Sequence, residues 1–258
     1  MMDPMGTEAS EFSGIAAMPR GGFDASCLDR LLQTDRQEYL DRDDVDDTLK
    51  RRVIGSLDWT GRVFGLHHRF ARWALDTVAD VPDPAILELG AGHGAVSRKI
   101  LENHPTATVT VTDIDPVSVA RMAAGDLGTH PRATVREMDA TAIDAPDRSF
   151  ALAIFVLSFH HLPPEAAARV FAEGTRVADT LMIIDLPRPS APLHLVRLVS
   201  MLPLAPFVPF VHDGVISSLR AYSPSALRSL ARQADPAIEV QLRRAVTGPQ
   251  VVLARRAR

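Results

Sequence analysis

The chain contains one cysteine, Cys27, among 258 residues. A lone thiol excludes an internal disulfide framework and a cysteine-built metal centre, and it fits a reducing cytoplasm. Aromatic side chains make up 5% of the residues, and none of them interleave with dense basic charge as in a nucleic-acid groove, so no nucleic-acid partner is expected. The most apolar run, Leu193 to Val211, is broken by Arg197 and by prolines 203, 206 and 209, which argues against a membrane-spanning helix. The start lacks the pattern of a secretory signal. The nine histidines include the adjacent pairs His67-His68 and His160-His161 and show no zinc-type spacing, so no metal is expected. What remains is an ordinary globular composition, 46% apolar with a net charge of −4, long enough to bury a sizeable core.

The charge is unevenly placed. Residues 1–60 are acidic, with the densest run at Asp41, Asp43, Asp44, Asp46 and Asp47, whereas residues 188–258 carry ten arginines against three acids. Most of these read as solvated faces, and the arginines can also attract an anionic substrate.

The most informative stretch is Ala85-Ile-Leu-Glu-Leu-Gly-Ala-Gly-His-Gly, followed by Thr108-Val-Thr-Val-Thr-Asp-Ile-Asp115. It reads as strand, glycine turn, helix, strand and acid, the pattern of a nucleotide-cofactor cradle. Gly90, Gly92 and Gly94 let the backbone turn sharply beside a ligand. A dinucleotide loop would place its third glycine one residue later, and the carboxylate of Glu88 would repel a diphosphate. A negative environment suits a sulfonium and an ammonium instead. Each part also has an ordinary reading: a tight turn for the glycines, and turn or helix-capping roles for Asp113 and Asp139.

Taken together, these residues resemble the class I S-adenosylmethionine-dependent methyltransferases of the type 11/25 kind, particularly the small-molecule group that includes the ubiquinone/menaquinone methyltransferases. The resemblance covers roughly residues 60–254. It implies a Rossmann-like α/β fold with a seven-stranded, mostly parallel sheet flanked by helices, an N-terminal helical cover and a lid insertion after strand five. It also implies S-adenosylmethionine as cofactor, S-adenosylhomocysteine as product, and a cofactor site of Glu88, Gly90, Ala91, Gly92, His93, Gly94, Asp113, Ile114, Asp139, Ala140 and Phe155. In this scheme Asp113, 19 residues after Gly94, receives the ribose hydroxyls and Asp139 the adenine amine. Strands are expected at 132–138, 150–157, 182–185, 238–242 and 251–254, the last antiparallel.

Three segments follow: a flexible tail at 1–22, a helical cover at 23–80, and the core at 81–258 with its lid at 187–222. Within the cover, Ala25 to Leu40, Thr48 to Leu57 and Arg62 to Val78 read as helices. Phe64, His68, Ala71, Leu75 and Val78 recur at helical steps on the last. His67, His68, Arg69 and Arg72 are candidates to meet the cofactor carboxylate or a substrate anion. The apolar lid reads as a cover for an apolar substrate, with a homodimer interface or transient membrane-surface contact as alternatives.

A neutral hydroxyl acceptor must lose its proton during methyl transfer, and histidine is the natural proton acceptor. His160 and His161, just past strand four, are the first candidates; His212 and Asp213, at the end of the lid, are the second. Expected is methyl transfer to a small apolar or aromatic acceptor at oxygen or carbon, in a monomer or a homodimer. A catalytically silent adenosylmethionine-binding scaffold and an NAD-dependent oxidoreductase are the alternatives.

Overall fold

The computed structural model of the protein describes residues 14–39, 42, 44–205, 208–244 and 248–257. One sheet organises it: β1 (Ala85–Leu89), β2 (Thr108–Asp113), β3 (Ala133–Glu137), β4 (Phe150–Val156), β5 (Ala178–Asp185), β6 (Ile238–Arg244) and β7 (Gln250–Arg256). The spatial order is β3-β2-β1-β4-β5-β7-β6. Neighbours are parallel except that β7 runs antiparallel to both β5 and β6. The central strands are nearly unbroken apolar runs because helices cover both faces: Leu152, Ala153, Ile154, Leu181, Ile183 and Ile184 are fully buried. Edge strand β3 is largely exposed.

Helices α1 (Cys27–Leu31), α2 (Asp47–Val63) and α3 (Leu66–Thr77) precede the sheet. Three more, α4 (Ala95–Asn103), α5 (Pro116–Ala124) and α6 (Asp126–Thr129), flank β2, and α7 (Pro164–Val177) joins β4 to β5. Then come the insertion helices α8 (Ala191–Met201) and α9 (Pro209–Arg220), followed by α10 (Pro224–Ala234). One core, with Phe159, Phe171, Tyr222 and Leu230, lies on one side of the sheet. A second, with Phe70, Ala74, Ile100 and Met122, lies on the other.

The N-terminal region departs from its sequence reading. The helix expected over 25–40 ends at Leu31, because Arg188 donates to the carbonyls of Asp29 and Leu32 and the chain then runs on without helix to Tyr39. Leu40, Asp41 and Asp43 of the expected helix and acidic turn lie outside the described residues, as do residues 1–13 of the tail. Residues 14–22 are anchored: Ile15 and Met18 are buried in the first core. The cover helices break at Gly65, in the left-handed region with φ 58°. They turn Phe70, Ala71 and Ala74 inward and leave Phe64 and His68 exposed, so the buried stripe is rotated from the expected one.

Strand β1 lies between β2 and β4, so the chain leaves it in opposite directions on its two sides. The crevice at the carboxyl ends of β1 and β4 is the switch point where ligands of such sheets bind.

Candidate active site

The loop after β1 is shaped by three glycines in the left-handed region, with φ of 59°, 59° and 73° at Gly90, Gly92 and Gly94. A Cβ on Gly90 would stand 2.6 Å from the Phe155 ring, and one on Gly94 would stand 2.4 Å from Leu127 Cδ1. Both glycines therefore permit close packing beneath the loop. A Cβ on Gly92 would meet nothing within 4 Å, so here the backbone borders open space. Asp113 Oδ2 accepts the Gly92 N–H at 2.7 Å, and its Oδ1 accepts that of Asp115 at 2.9 Å. Asp115 caps α5. Ala91 donates to the Thr112 carbonyl, while the His93 ring meets that of His67 edge-on at 5.8 Å.

Glu88 is buried, and its Oε2 accepts the Ser97 N–H at 3.0 Å and also the Ser97 hydroxyl. It thereby satisfies one of the free N–H groups in the first turn of α4. Burial drives its pKa up to about 7, against the lowering effect of the Ser97 bonds. Ile114 is exposed beyond β2. Asp139, past the end of β3, is exposed and accepts from the Thr141 N–H and hydroxyl at 2.8 Å each; Ala140 packs against the core. Three consecutive strands thus end in carboxylates beside a loop that opens at Gly92. These residues fit an adenosine bearing a positive sulfonium.

A second constellation begins at the end of β4. Leu157 is held at φ 53°, a conformation that side-chain-bearing residues rarely adopt. The Ser158 hydroxyl next to it is shared between the carbonyls of Val156 at 3.1 Å and Gly90 at 3.3 Å, and a single 3-10 turn carries Phe159, His160 and His161. Asp185, at the tip of β5, receives the His160 backbone N–H at 2.7 Å, and its other oxygen lies 2.7 Å from His160 Nδ1. From the N-terminal cover comes Glu38, whose Oε1 is 3.3 Å from His160 Nε2 and whose Oε2 is 3.9 Å from His161 Nε2. Ser217 of α9 donates to Glu38 at 2.5 Å.

Burial opposes charge on His160, but Asp185 and Glu38 outweigh it and raise the pKa to about 9. Burial likewise opposes charge on Glu38, yet His160, His161 and Ser217 hold its pKa below the usual carboxylate value. Arginines brace the turn from behind: Arg20 donates to the carbonyls of His160 and Leu162, and Arg220 to that of His161. Beside it, Tyr39 stacks on His212 at 4.1 Å and its backbone N–H donates to Asp213. His212 Nδ1 lies 3.0 Å from Asp213, whose pKa is raised by burial.

A family profile described as a methyltransferase domain matches residues 86–180, the segment from β1 into β5. The fold and this match support a class I S-adenosylmethionine-dependent methyltransferase domain. A crystal structure of a plantazolicin methyltransferase, solved with a pentazolic substrate analogue and S-adenosylhomocysteine, superposes with a TM-score of 0.64 at 12% identity, covering 90% of this chain and 97% of that one. An O-methyltransferase structure from Nostoc punctiforme gives 0.55 at 15% identity over 74% of this chain and 56% of its own. At such identities the likeness concerns the fold. Among curated proteins, an eEF1A lysine and N-terminal methyltransferase homologue of Drosophila pseudoobscura pseudoobscura is 29% identical over 124 residues, 48% of this chain but 17% of that protein. A malonyl-[acyl-carrier protein] O-methyltransferase of Geobacter sulfurreducens is 33% identical over 100 residues, 38% of this chain and 36% of its own. The chain therefore spans well under half the length of either.

Within the methyltransferase domain, the cofactor residues expected from sequence gather at the ends of β1, β2 and β3, with Phe155 buried as a support under Gly90. His67 reaches the loop through His93, whereas His68 and Arg72 are exposed. Arg69 lies beside Phe70 and Trp73. His160, His161, His212 and Asp213 do converge, linked through Glu38, Tyr39 and Ser217. Sequence reasoning missed Glu38 altogether and gave Asp185 no role. Asp185 had a usable signal, an acid closing an apolar strand at the ligand end of the sheet. Glu38 had none, since its segment reads from its leucines as the end of an ordinary cover helix.

Proposed function

We propose that the protein transfers the methyl group of S-adenosylmethionine to a small, largely apolar acceptor, at oxygen or carbon. The observation that carries this reading is the Ser158–Gly90 hydrogen bond, which sets the histidine turn within two residues of the cofactor loop. When bound, the cofactor supplies a methyl group already electrophilic on its positively charged sulfur. The task left to the chain is to orient the acceptor, exclude water and receive a proton.

The Glu38–His160–His161 cluster is the place for that proton. His161 is its more exposed member, with 26% of its side chain accessible against 4% for His160. His160 is locked between two carboxylates and so serves to position the turn. A groove of about 550 Å³ lies between α2 and the start of α9, lined by Val53, Trp59, Thr60, Val208 and Phe210. Phe210 is three residues from Asp213, about 5 Å along the helix, so an apolar acceptor in the groove would lie near the cluster.

The test is calorimetry with S-adenosylmethionine, S-adenosylhomocysteine and NAD, followed by a metabolite screen detecting the homocysteine product. Binding of both sulfur compounds and turnover of an apolar acceptor is expected. NAD binding without response to either sulfur compound overturns the reading, and cofactor binding with no turnover across the screen would make the protein a silent binder.

A further inference from the structure

The polar cluster at the end of β4 contains one atom that its surroundings leave unexplained. His160 Nε2 is buried and makes no hydrogen bond, although Glu38 Oε1 lies only 3.3 Å away. The ring is fixed, because Nδ1 is pinned to Asp185 at 2.7 Å and the backbone N–H of the same residue is held by the other oxygen of that carboxylate. His161 presents its own Nε2 to the second oxygen of Glu38 at 3.9 Å, and the two imidazole rings lie 4.3 Å apart at a 34° tilt. Two imidazole nitrogens and a carboxylate thus come within 4.8 Å of one another.

We infer that Glu38, His160 and His161 form a three-ligand site for a divalent transition cation, zinc being the best match. Metal–nitrogen and metal–oxygen bonds to zinc are about 2.0–2.2 Å, which places tetrahedral ligands roughly 3.4 Å apart. The spacing of Glu38 Oε1 from His160 Nε2 already meets this, and with one ligand atom from each residue all three lie within 4.8 Å of one another, so the His161 side needs to close by at most about 1.4 Å. Two nitrogens with one carboxylate suit zinc over magnesium or calcium, which take oxygen. Asp185 supplies the outer carboxylate that metal-bound histidines characteristically have on their other nitrogen. Ser217 steadies Glu38 in the same way. A proton can occupy the point between His160 and Glu38, and the cation competes with it for the same lone pairs.

Three protein ligands leave a tetrahedral ion one open position. It would face the His161 side, the exposed edge of the cluster. As an account of the reaction, this rests on the methyl-transfer reading: an acceptor hydroxyl bound to the cation becomes more acidic and releases its proton to water, leaving oxygen as the nucleophile. As a binding site, it does not depend on that reading.

The experiment is calorimetric titration of the chelator-stripped full chain with zinc sulfate, with cobalt(II) absorption as a report on ligand geometry. One zinc per chain and the intense visible bands of four-coordinate cobalt are expected. H161A and E38Q should each weaken zinc binding about tenfold or more, and D185N about 10- to 100-fold, with thermal unfolding verifying that each variant is folded. No zinc uptake by the wild type overturns the site, as does uptake that neither H161A nor E38Q weakens. Titrating the same sample with S-adenosylhomocysteine separates the two ideas. Cofactor binding without zinc refutes the metal site alone, and zinc binding without cofactor refutes the proposed function alone.

Discussion

Replacing Glu88 with glutamine should change how stability depends on pH. Glu88 is 2% exposed and ionises at about 7 rather than at the ordinary 4.5, because burial penalises its charge. A carboxyl whose pKa is raised by folding favours the native state fully below 4.5. That contribution is lost as pH rises through 7, since the unfolded chain releases its proton first. At about 1.4 kcal/mol per pH unit the full loss is about 3 kcal/mol, of which about 2.5 kcal/mol falls between pH 5 and pH 8. Glutamine keeps an oxygen for the Ser97 donors and carries no proton to lose. E88Q should therefore gain about 2.5 kcal/mol on the wild type between these two pH values, or about 5–10 °C in midpoint for a chain of this size. Urea unfolding of both proteins at pH 5 and 8 measures it, and other titrating groups cancel in the double difference. An identical gap at the two pH values would show that Glu88 ionises normally, and the account of its burial would fail.

Gly92→Ala should cost about 1–2 kcal/mol for its left-handed backbone and, because its methyl enters the space the loop leaves open, lower S-adenosylhomocysteine affinity. Undiminished affinity by calorimetry would displace the cofactor from this loop. Asp113→Ala removes a charged acceptor for the ligand and frees the Gly92 N–H, so affinity should fall about 10- to 100-fold. Arg188 is buried on Asp29 and on the carbonyls of Asp29, Leu32, Leu219 and Ala221; R188A should cost about 3–5 kcal/mol, with limited proteolysis cutting first near residues 23–46. In H161A, kcat should drop while cofactor affinity stays level, and an unchanged kcat would remove His161 from the chemistry.

What could be read before folding was whatever local chain chemistry dictates. Apolar runs such as Phe150 to Val156 make central strands wherever helices flank them, and glycines at 90, 92 and 94 announce a backbone that must turn left-handed. Acids closing successive strands could be counted from the pattern alone, because a parallel sheet gathers the carboxyl ends of its strands along one edge. Where patterning was weak, local inference failed. The stretch after Leu31 looks helical by its leucines, yet Arg188, more than 150 residues away, captures its carbonyls and lets the chain run on to Glu38.

The sequence by itself therefore determined the strands of the sheet and the glycine loop, since each is written in neighbours a few positions away. Only the tertiary structure decided how distant residues combine. Glu38 and His160 are separated by 122 positions and meet at 3.3 Å, because the non-helical stretch after Leu31 is held across the end of the sheet by buried arginines. Ligand spacing along a chain constrains a metal site only when one element supplies every ligand, and the proposed site depends on Glu38 meeting the histidine pair from another part of the fold.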